Sequence, residues 1–398
     1  MNIQGLCDPQ FHAVRQEFER NFRDRGEVGA SVCVTVRGQV MVNLWGGTAR
    51  LDTGTPWTEE TVSLVFSCTK GATALCAHIL ASRGLLDLDA PVAEYWPAFA
   101  QAGKTTITVK MLLNHQAGLP ALRKPLPQGA FYDWEFMVAA LEKEEPFWQP
   151  GTRNGYHGLT FGWLVGEVVR RVSGKSLGTF FQDEVAKPLG LDFWLGLPEQ
   201  LEPRVASMVP GEPDTNTPFF TAMADPTSLQ TFMFHNTGGY MTRPDYDSRA
   251  AHAAEIGGAG GITNARGLAG MYTPLAGRGK ELVSRDAVAR MAAVSSATGC
   301  DAVLLLPTRF SLGFMKAMDN RRLPFGQDSS AILSEDAFGH VGFGGSIGFA
   351  DPKAELAFGY TMNKMGTGVG LTERGQRLID AVYRSLGYRS NASGTWVY

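Results

Sequence analysis

Apolar positions follow two rhythms along this chain. Between residues 9 and 25, Phe11, Val14, Phe18 and Phe22 recur at steps of three and four, the stripe of an amphipathic helix. Residues 29–36 and 39–45 are two β-prone runs flanking Arg37-Gly38, which predicts a β-hairpin. After Leu64-Val65-Phe66 the helical spacing returns with Ala72, Leu75, Cys76 and Ile79, and Gly84 is a plausible stop. Residues 159–172 read as a helix ended by Gly174. Near the C-terminus, residues 340–350 and 355–362 read as two strands around Asp351-Pro352-Lys353, and Ile379, Val382, Tyr383 and Leu386 mark a last helix.

Strands therefore lie at both ends of the chain and helices in the middle. This predicts an α/β (α+β) fold: one antiparallel sheet built from both chain ends, flanked by helices, with an inserted, mainly helical region. The expected units are residues 1–75 with 256–398, and residues 76–255, with an active site between them. The middle carries two loop-rich stretches, 120–127 and 203–226. It also carries two aromatic clusters, Phe131, Tyr132, Trp134 and Phe136, and Phe219, Phe220, Phe232 and Phe234.

Composition narrows the class. With 398 residues, 44% hydrophobic and 19% charged, the chain reads as soluble and globular with ample core. A net charge of −3 leaves no footprint for nucleic acid or an anionic membrane. No apolar run approaches the roughly 18 residues that span a bilayer. The first residues lack a basic patch followed by an apolar stretch, so no signal peptide is expected. The five cysteines (7, 33, 68, 76 and 300) are scattered and form no C-x-x-C pair. That argues against a disulfide framework or a zinc site and fits a reducing, cytoplasmic location.

The chemistry centres on Ser67-Cys68-Thr69-Lys70. On a helix, that spacing puts a hydroxyl and an amine on one face. Ser67 would sit near a helix N-terminus, where free N–H groups favour a developing anion. Lys70 could activate Ser67 if burial or a neighbouring cation lowers its pKa. An S-x-x-K match also arises by chance as an N-cap serine with an exposed lysine, so the rest of the chain must decide. Four further stretches bear on the choice: residues 112–119 (Leu-Leu-Asn-His-Gln-Ala-Gly-Leu), 150–158 with Tyr156, 260–269 with two leading glycines, and 339–346 with His340-Val341-Gly342. The glycine-rich turn 257–261 lacks the Lys-Ser/Thr of a P-loop and reads as a close backbone approach, not a phosphate cradle. Two G-x-S-x-G matches, around Ser176 and Ser346, lack the strand-serine-helix order of a nucleophile elbow; the first follows a helix and the second reads as strand.

Taken in order, Ser67-x-x-Lys70, Tyr156-x-Gly158 and His340-Val341-Gly342 resemble the S-x-x-K, Y-x-N and K-T-G motifs of the penicillin-recognising serine enzymes. The resemblance covers about residues 20–390, and it is greatest to the carboxylesterases of class C β-lactamase fold, the family VIII esterases. Two departures point there: His340 replaces the K-T-G lysine, and Gly158 replaces the Y-x-N asparagine. The resemblance implies a serine carboxylesterase that cleaves short- to medium-chain esters through an acyl-enzyme on Ser67, with no metal or cofactor. Lys70 and Tyr156 would move the proton, with Tyr156 as a phenolate beside a Lys70 cation or as a relay. Which of the two is the base stays open, and they would titrate as a coupled pair. The N–H groups of Ser67 and Phe343 would form the oxyanion hole. His340 and Gly342 would border the substrate, and Phe131 and Trp134 would line an acyl pocket at the mouth of the site. His115 and His157 read as structural. A β-lactamase, peptidase, amide hydrolase or acyltransferase would use the same serine, lysine and tyrosine; a binding protein on the same fold would not need them. The partner implied is a small-molecule ester; the sequence sets no oligomeric state.

Overall fold

The computed structural model describes residues 3–212, 215, 217–241 and 245–398. In chain order its strands are β1 (Gln4–Cys7), β2 (Gly29–Val36), β3 (Gln39–Arg50), β4 (Thr55–Pro56), β5 (Ser63–Leu64), β6 (Phe193–Leu195), β7 (Gly261–Thr263), β8 (Ser296–Thr298), β9 (Thr308–Phe310), β10 (Phe338–Val341), β11 (Ile347–Asp351) and β12 (Leu356–Met362). The helices that frame the sheet and the site are α1 (His12–Asp24), α2 (Thr69–Ser82), α3 (Trp134–Lys143), α4 (Phe161–Ser173), α5 (Leu229–Phe234), α6 (Ala265–Tyr272) and α7 (Glu373–Ser385).

The main sheet runs β1-β3-β2-β12-β11-β10, with β4 on β3. Every pairing in it is antiparallel, and both chain ends contribute, as the strand distribution predicts. The hairpin between β2 and β3 closes at Val36 and Gln39, with Arg37 at φ +53° and Gly38 at φ +79°. Two left-handed residues match the twist of the flanking strands. β12 shows how the sheet buries both faces. Phe358 stacks on Phe349, which stacks on Tyr383 of α7. The next residue, Gly359, points the other way. There an added Cβ would lie 2.4 Å from Ala265 O of α6, so only glycine lets that helix approach. α1 packs beside α7, with Phe11, Val14 and Phe18 buried along the predicted stripe.

A second sheet, β5-β7-β6, ties the chain before Ser67 to the glycine-rich turn and to the middle region. α2 packs on α4, and residue 75 falls inside α2. α4 ends where expected, at Gly174 with φ +70°.

Three differences from the sequence reading have local causes. Residues 340–350 are not one strand. β10 stops at Val341 and β11 starts at Ile347, because Gly344 and Gly345 at φ +92° and +118° reverse the chain. Ser346 consequently lies at that turn and not within a strand. β1 has no counterpart in the pattern, since it is a four-residue edge strand with largely exposed side chains.

Candidate active site

Ser67 is presented by a tight reversal. Val65 donates its N–H to Gly261 O, holding the end of β5 against β7. Phe66 then adopts φ +41°, unusual for a side chain this large. Such a conformation costs roughly 1–3 kcal/mol and persists where its surroundings enforce it. Here the Phe66 ring sits edge-on to Tyr246 and to Phe343. The Lys70 N–H donates to Ser67 O, so Ser67 stands just ahead of α2, as its motif predicts.

Lys70 is fully buried, and its Nζ meets three oxygens: Ser67 Oγ at 3.0 Å, Gly158 O at 2.6 Å and Gly258 O at 2.7 Å. Burial holds its pKa well below the usual 10.5, opposed by the Cys68 thiol alongside. A neutral amine held there would spend its two N–H bonds on the two carbonyls, leaving its lone pair for Ser67 Oγ. The glycine-rich turn is thus a close backbone approach, as read from sequence: Gly258 supplies a carbonyl to Lys70 and Gly257 one to Thr73 Oγ1.

Tyr156 donates its hydroxyl to Ser67 Oγ at 2.8 Å. Burial raises its pKa above the usual 10, and the bond to Ser67 opposes this only in part. Burial therefore favours the phenol beside a neutral amine, the reverse of a phenolate beside a Lys70 cation. Ser67 can give its proton to Lys70 and accept one from Tyr156 in a single network. The main chain of Tyr156 is fixed by its N–H to Asp301 Oδ1 at 3.0 Å, and its ring stacks on Phe310.

The turn after β10 lies against the same segment. Cys68 Sγ donates to His340 O, and Ser346 Oγ donates to Val65 O. At Gly342 an added Cβ would sit 2.2 Å from Val65 O. Neither the Ser67 nor the Phe343 amide meets a protein acceptor among the described residues. His340 is 2% exposed and donates from Nδ1 to Val341 O. Burial and the nearby Lys70 push its pKa down to about 3, so it carries no charge in place of the motif lysine.

His115 and His157 brace the Tyr156 segment. His157 donates from Nδ1 to Gly155 O and accepts the Leu119 N–H on Nε2, while its own N–H reaches His115 Nδ1. Burial lowers the pKa of His157 to about 3 and of His78 to about 4, and holds His115 well below its usual 6.5. The unfolded chain takes up these protons near pH 6.5, whereas the folded chain does not. Their contribution is thus complete above that pH and falls as pH drops toward 3, by up to about 2 kcal/mol each for His78 and His157 at pH 5. Urea midpoints at pH 7 and pH 5 check this; equal midpoints would refute it.

A cavity of about 80 Å³ opens beside Ser67 and Tyr156. Its wall includes Phe219, Met233, Phe234, Met241, Leu304, Leu306, Met315, Met318 and Phe343, and no charged side chain among the described residues. Phe131 and Trp134 are not part of it, which corrects the expectation of an acyl pocket there. Phe131 packs edge-on to Trp163, and Trp134 donates from Nε1 to Glu167 and fills the notch over Gly166. The second aromatic cluster supplies the wall instead, through Phe219 and Phe234, which the sequence displays without a role. The methionines and Asp301 carry no motif that marks them. Gly158 faces Met233, whose Sδ would lie 2.7 Å from an added Cβ.

This sheet, with a helical region folded around it, is the fold of the β-lactamases and penicillin-binding proteins. The chain belongs to the beta-lactamase family, whose sequence model matches residues 15–383. It is 36% identical over 387 residues to the esterase/beta-lactamase LipL of Mycobacterium tuberculosis, covering 93% of this chain and 85% of LipL. Among solved structures it is similar to a family VIII carboxylesterase (40% identity, TM-score 0.82, 97% of this chain and 100% of that one). It is also similar to a penicillin-binding protein homologue from Caulobacter crescentus (33% identity, TM-score 0.83, 97% and 100%).

Proposed function

We propose that this protein is a serine carboxylesterase that cleaves short- to medium-chain esters through an acyl-enzyme on Ser67. The observation that carries the proposal is the pair of bonds on one oxygen: Lys70 Nζ at 3.0 Å and Tyr156 Oη at 2.8 Å from Ser67 Oγ, at the wall of an apolar cavity. Similarity to LipL and to a family VIII carboxylesterase supports the ester as substrate.

In this mechanism Lys70 takes the Ser67 proton as Oγ attacks the ester carbonyl. The N–H groups of Ser67 and Phe343 hold the oxyanion. Tyr156 passes a proton to the departing alkoxide and is reprotonated from Lys70. Water then attacks the acyl-enzyme by the reverse route. Gly342 lets the β10 turn reach the serine, and His340 backs Tyr156 as a neutral ring, their centroids 6.0 Å apart. The site lies between the sheet unit (1–75 and 256–398) and the helical unit (76–255). The five cysteines are free thiols, which supports a cytoplasmic location. Among the described residues no helix is long and apolar enough to cross a membrane.

Esters are preferred because the position of the amide-recognising asparagine is Gly158, with Met233 packed over it. An amide nitrogen leaves badly unless held and protonated. An ester needs only nucleophile, base and oxyanion hole. For a short p-nitrophenyl ester, kcat/KM is expected to exceed that for a chromogenic cephalosporin by at least about a hundredfold, roughly 3 kcal/mol of transition-state stabilisation. An anilide of the same acid should be slower still. Equal values for ester and cephalosporin would move the assignment to β-lactamase.

A further inference from the structure

Asp301 lies far from every recognised motif, yet it is fully buried. Its Oδ1 accepts three backbone N–H bonds, from Tyr156 at 3.0 Å and from Val303 and Leu304 at 2.9 Å each. Its Oδ2 accepts the Thr308 hydroxyl at 3.3 Å. A buried carboxylate is expensive to desolvate unless its lone pairs are filled. Here they are filled from two segments about 145 residues apart in sequence. A second tie joins the same segments, since the Ala302 N–H donates to Asn154 O.

We infer that Asp301 is a positioning residue that sets Tyr156 and the substrate cavity together, a role that rests on the esterase reading of Ser67 and Tyr156. One oxygen fixes the main chain that aims the Tyr156 hydroxyl. The same oxygen curls residues 301–306 into a tight loop, closed by Asp301 N–H to Leu306 O and Leu305 N–H to Asp301 O. Leu305 takes φ +57° in that loop, and its neighbours Leu304 and Leu306 both face the cavity. Gln230 of α5 braces the outside through Ala302 O and Val303 O. Moving Asp301 thus shifts the proton donor and the apolar wall by one displacement. Burial raises the carboxyl pKa, and the backbone and Thr308 donors hold that rise in check.

The bonds need an acceptor, not a charge. Asparagine can keep Oδ1 for the three amides and turn its NH2 toward the Thr308 hydroxyl. The test compares wild type, Asp301→Asn and Asp301→Ala. Active sites are counted by mass spectrometry after labelling with a phosphonate. Turnover is measured on p-nitrophenyl acetate and p-nitrophenyl octanoate. In Asp301→Ala, kcat per labelled site is expected to fall at least about thirtyfold, with the acetate-to-octanoate ratio of kcat/KM shifted about fivefold or more. Asp301→Asn should stay within about threefold on both readouts. A residue that only stabilises the fold would lower the number of labelled sites and leave both readouts in place. If Asp301→Ala yields no soluble enzyme, Asp301→Ser carries the test, with about a tenfold loss and a shifted ratio expected. Unchanged kcat per site and an unchanged ratio in the alanine or serine variant would overturn the inference. So would an asparagine variant as impaired as alanine. A wild-type enzyme that takes no label on Ser67 would instead overturn the reading beneath it.

Discussion

Ser67→Ala is expected to lower kcat on p-nitrophenyl esters by at least about ten-thousandfold, because the acyl-enzyme cannot form without its oxygen. Substrate binding should change little, since the cavity wall stays in place. A phosphonate or sulfonyl fluoride should add one adduct, on the peptide that holds Ser67. Two other serines sit in nucleophile-like sequences, and the structure gives each a different task. Ser176 caps a short helix, accepting the Thr179 N–H and donating to Glu255 Oε1. Ser346 is buried, with its Oγ turned to Val65 O. Ser176→Ala should cost about 1 kcal/mol of stability and leave turnover nearly intact. An adduct on Ser176 or Ser346 would overturn the assignment.

The second large effect concerns Lys70 and Tyr156, which reach the same Ser67 oxygen. Lys70→Met and Tyr156→Phe should each lower kcat by about a thousandfold, and the double variant by little more, because groups acting as one unit are non-additive. A double variant showing the product of the two losses would mean that they act independently. The same geometry fixes a pH profile. In the proposed mechanism the base is the neutral amine of Lys70, and burial places its pKa well below 10.5. Activity is therefore present on the alkaline side of that lowered pKa and falls as pH drops through it and Lys70 gains a proton. Were Tyr156 phenolate the base, activity would instead keep rising above pH 10, since burial raises the tyrosine pKa. A plateau reached well below pH 10 supports the lysine.

Ser67, Lys70 and Tyr156 are legible in the sequence because short motifs fix their local geometry: a serine two residues before a helix, a lysine three residues on, a tyrosine between a Pro-Gly turn and a helix. The sheet is legible for a related reason, as β2 and β3 are β-prone runs that share a two-residue turn. The cavity is not. Its wall comes from α5, from the five-residue helix Pro218–Ala222 that carries Phe219, and from residues 241, 304 and 315, segments too short to show a period. Only their convergence on Ser67 gives them meaning, and convergence belongs to the fold. Phe131 and Trp134 illustrate the converse: an aromatic cluster of the right composition faces Trp163 and Glu167 instead of the substrate space. Asp301 is invisible for the same reason, being an unremarked acid in a loop whose partner at Tyr156 is distant in sequence.

The two carbonyls that hold Lys70 Nζ, at Gly158 and Gly258, belong to the main chain. They are wedged in place by close backbone contact: an added Cβ on Gly162 would lie 2.3 Å from Gly258 N, and one on Gly258 would lie 2.5 Å from Leu159 O. Being main-chain atoms, neither carbonyl is supplied by a side chain of the cavity wall. The grip on the lysine and the apolar wall at Phe219, Met241 and Met318 are therefore different parts, whereas the loop of Leu304 and Leu306 is tied to Tyr156 through Asp301. Exchanging Phe219, Met241 or Met318 is expected to change which acid or alcohol is admitted while the lysine keeps both carbonyl contacts. A scaffold wired in this way can drift between substrates through single wall substitutions, each passing through an active intermediate, which makes it a ready starting point for directed evolution of ester selectivity.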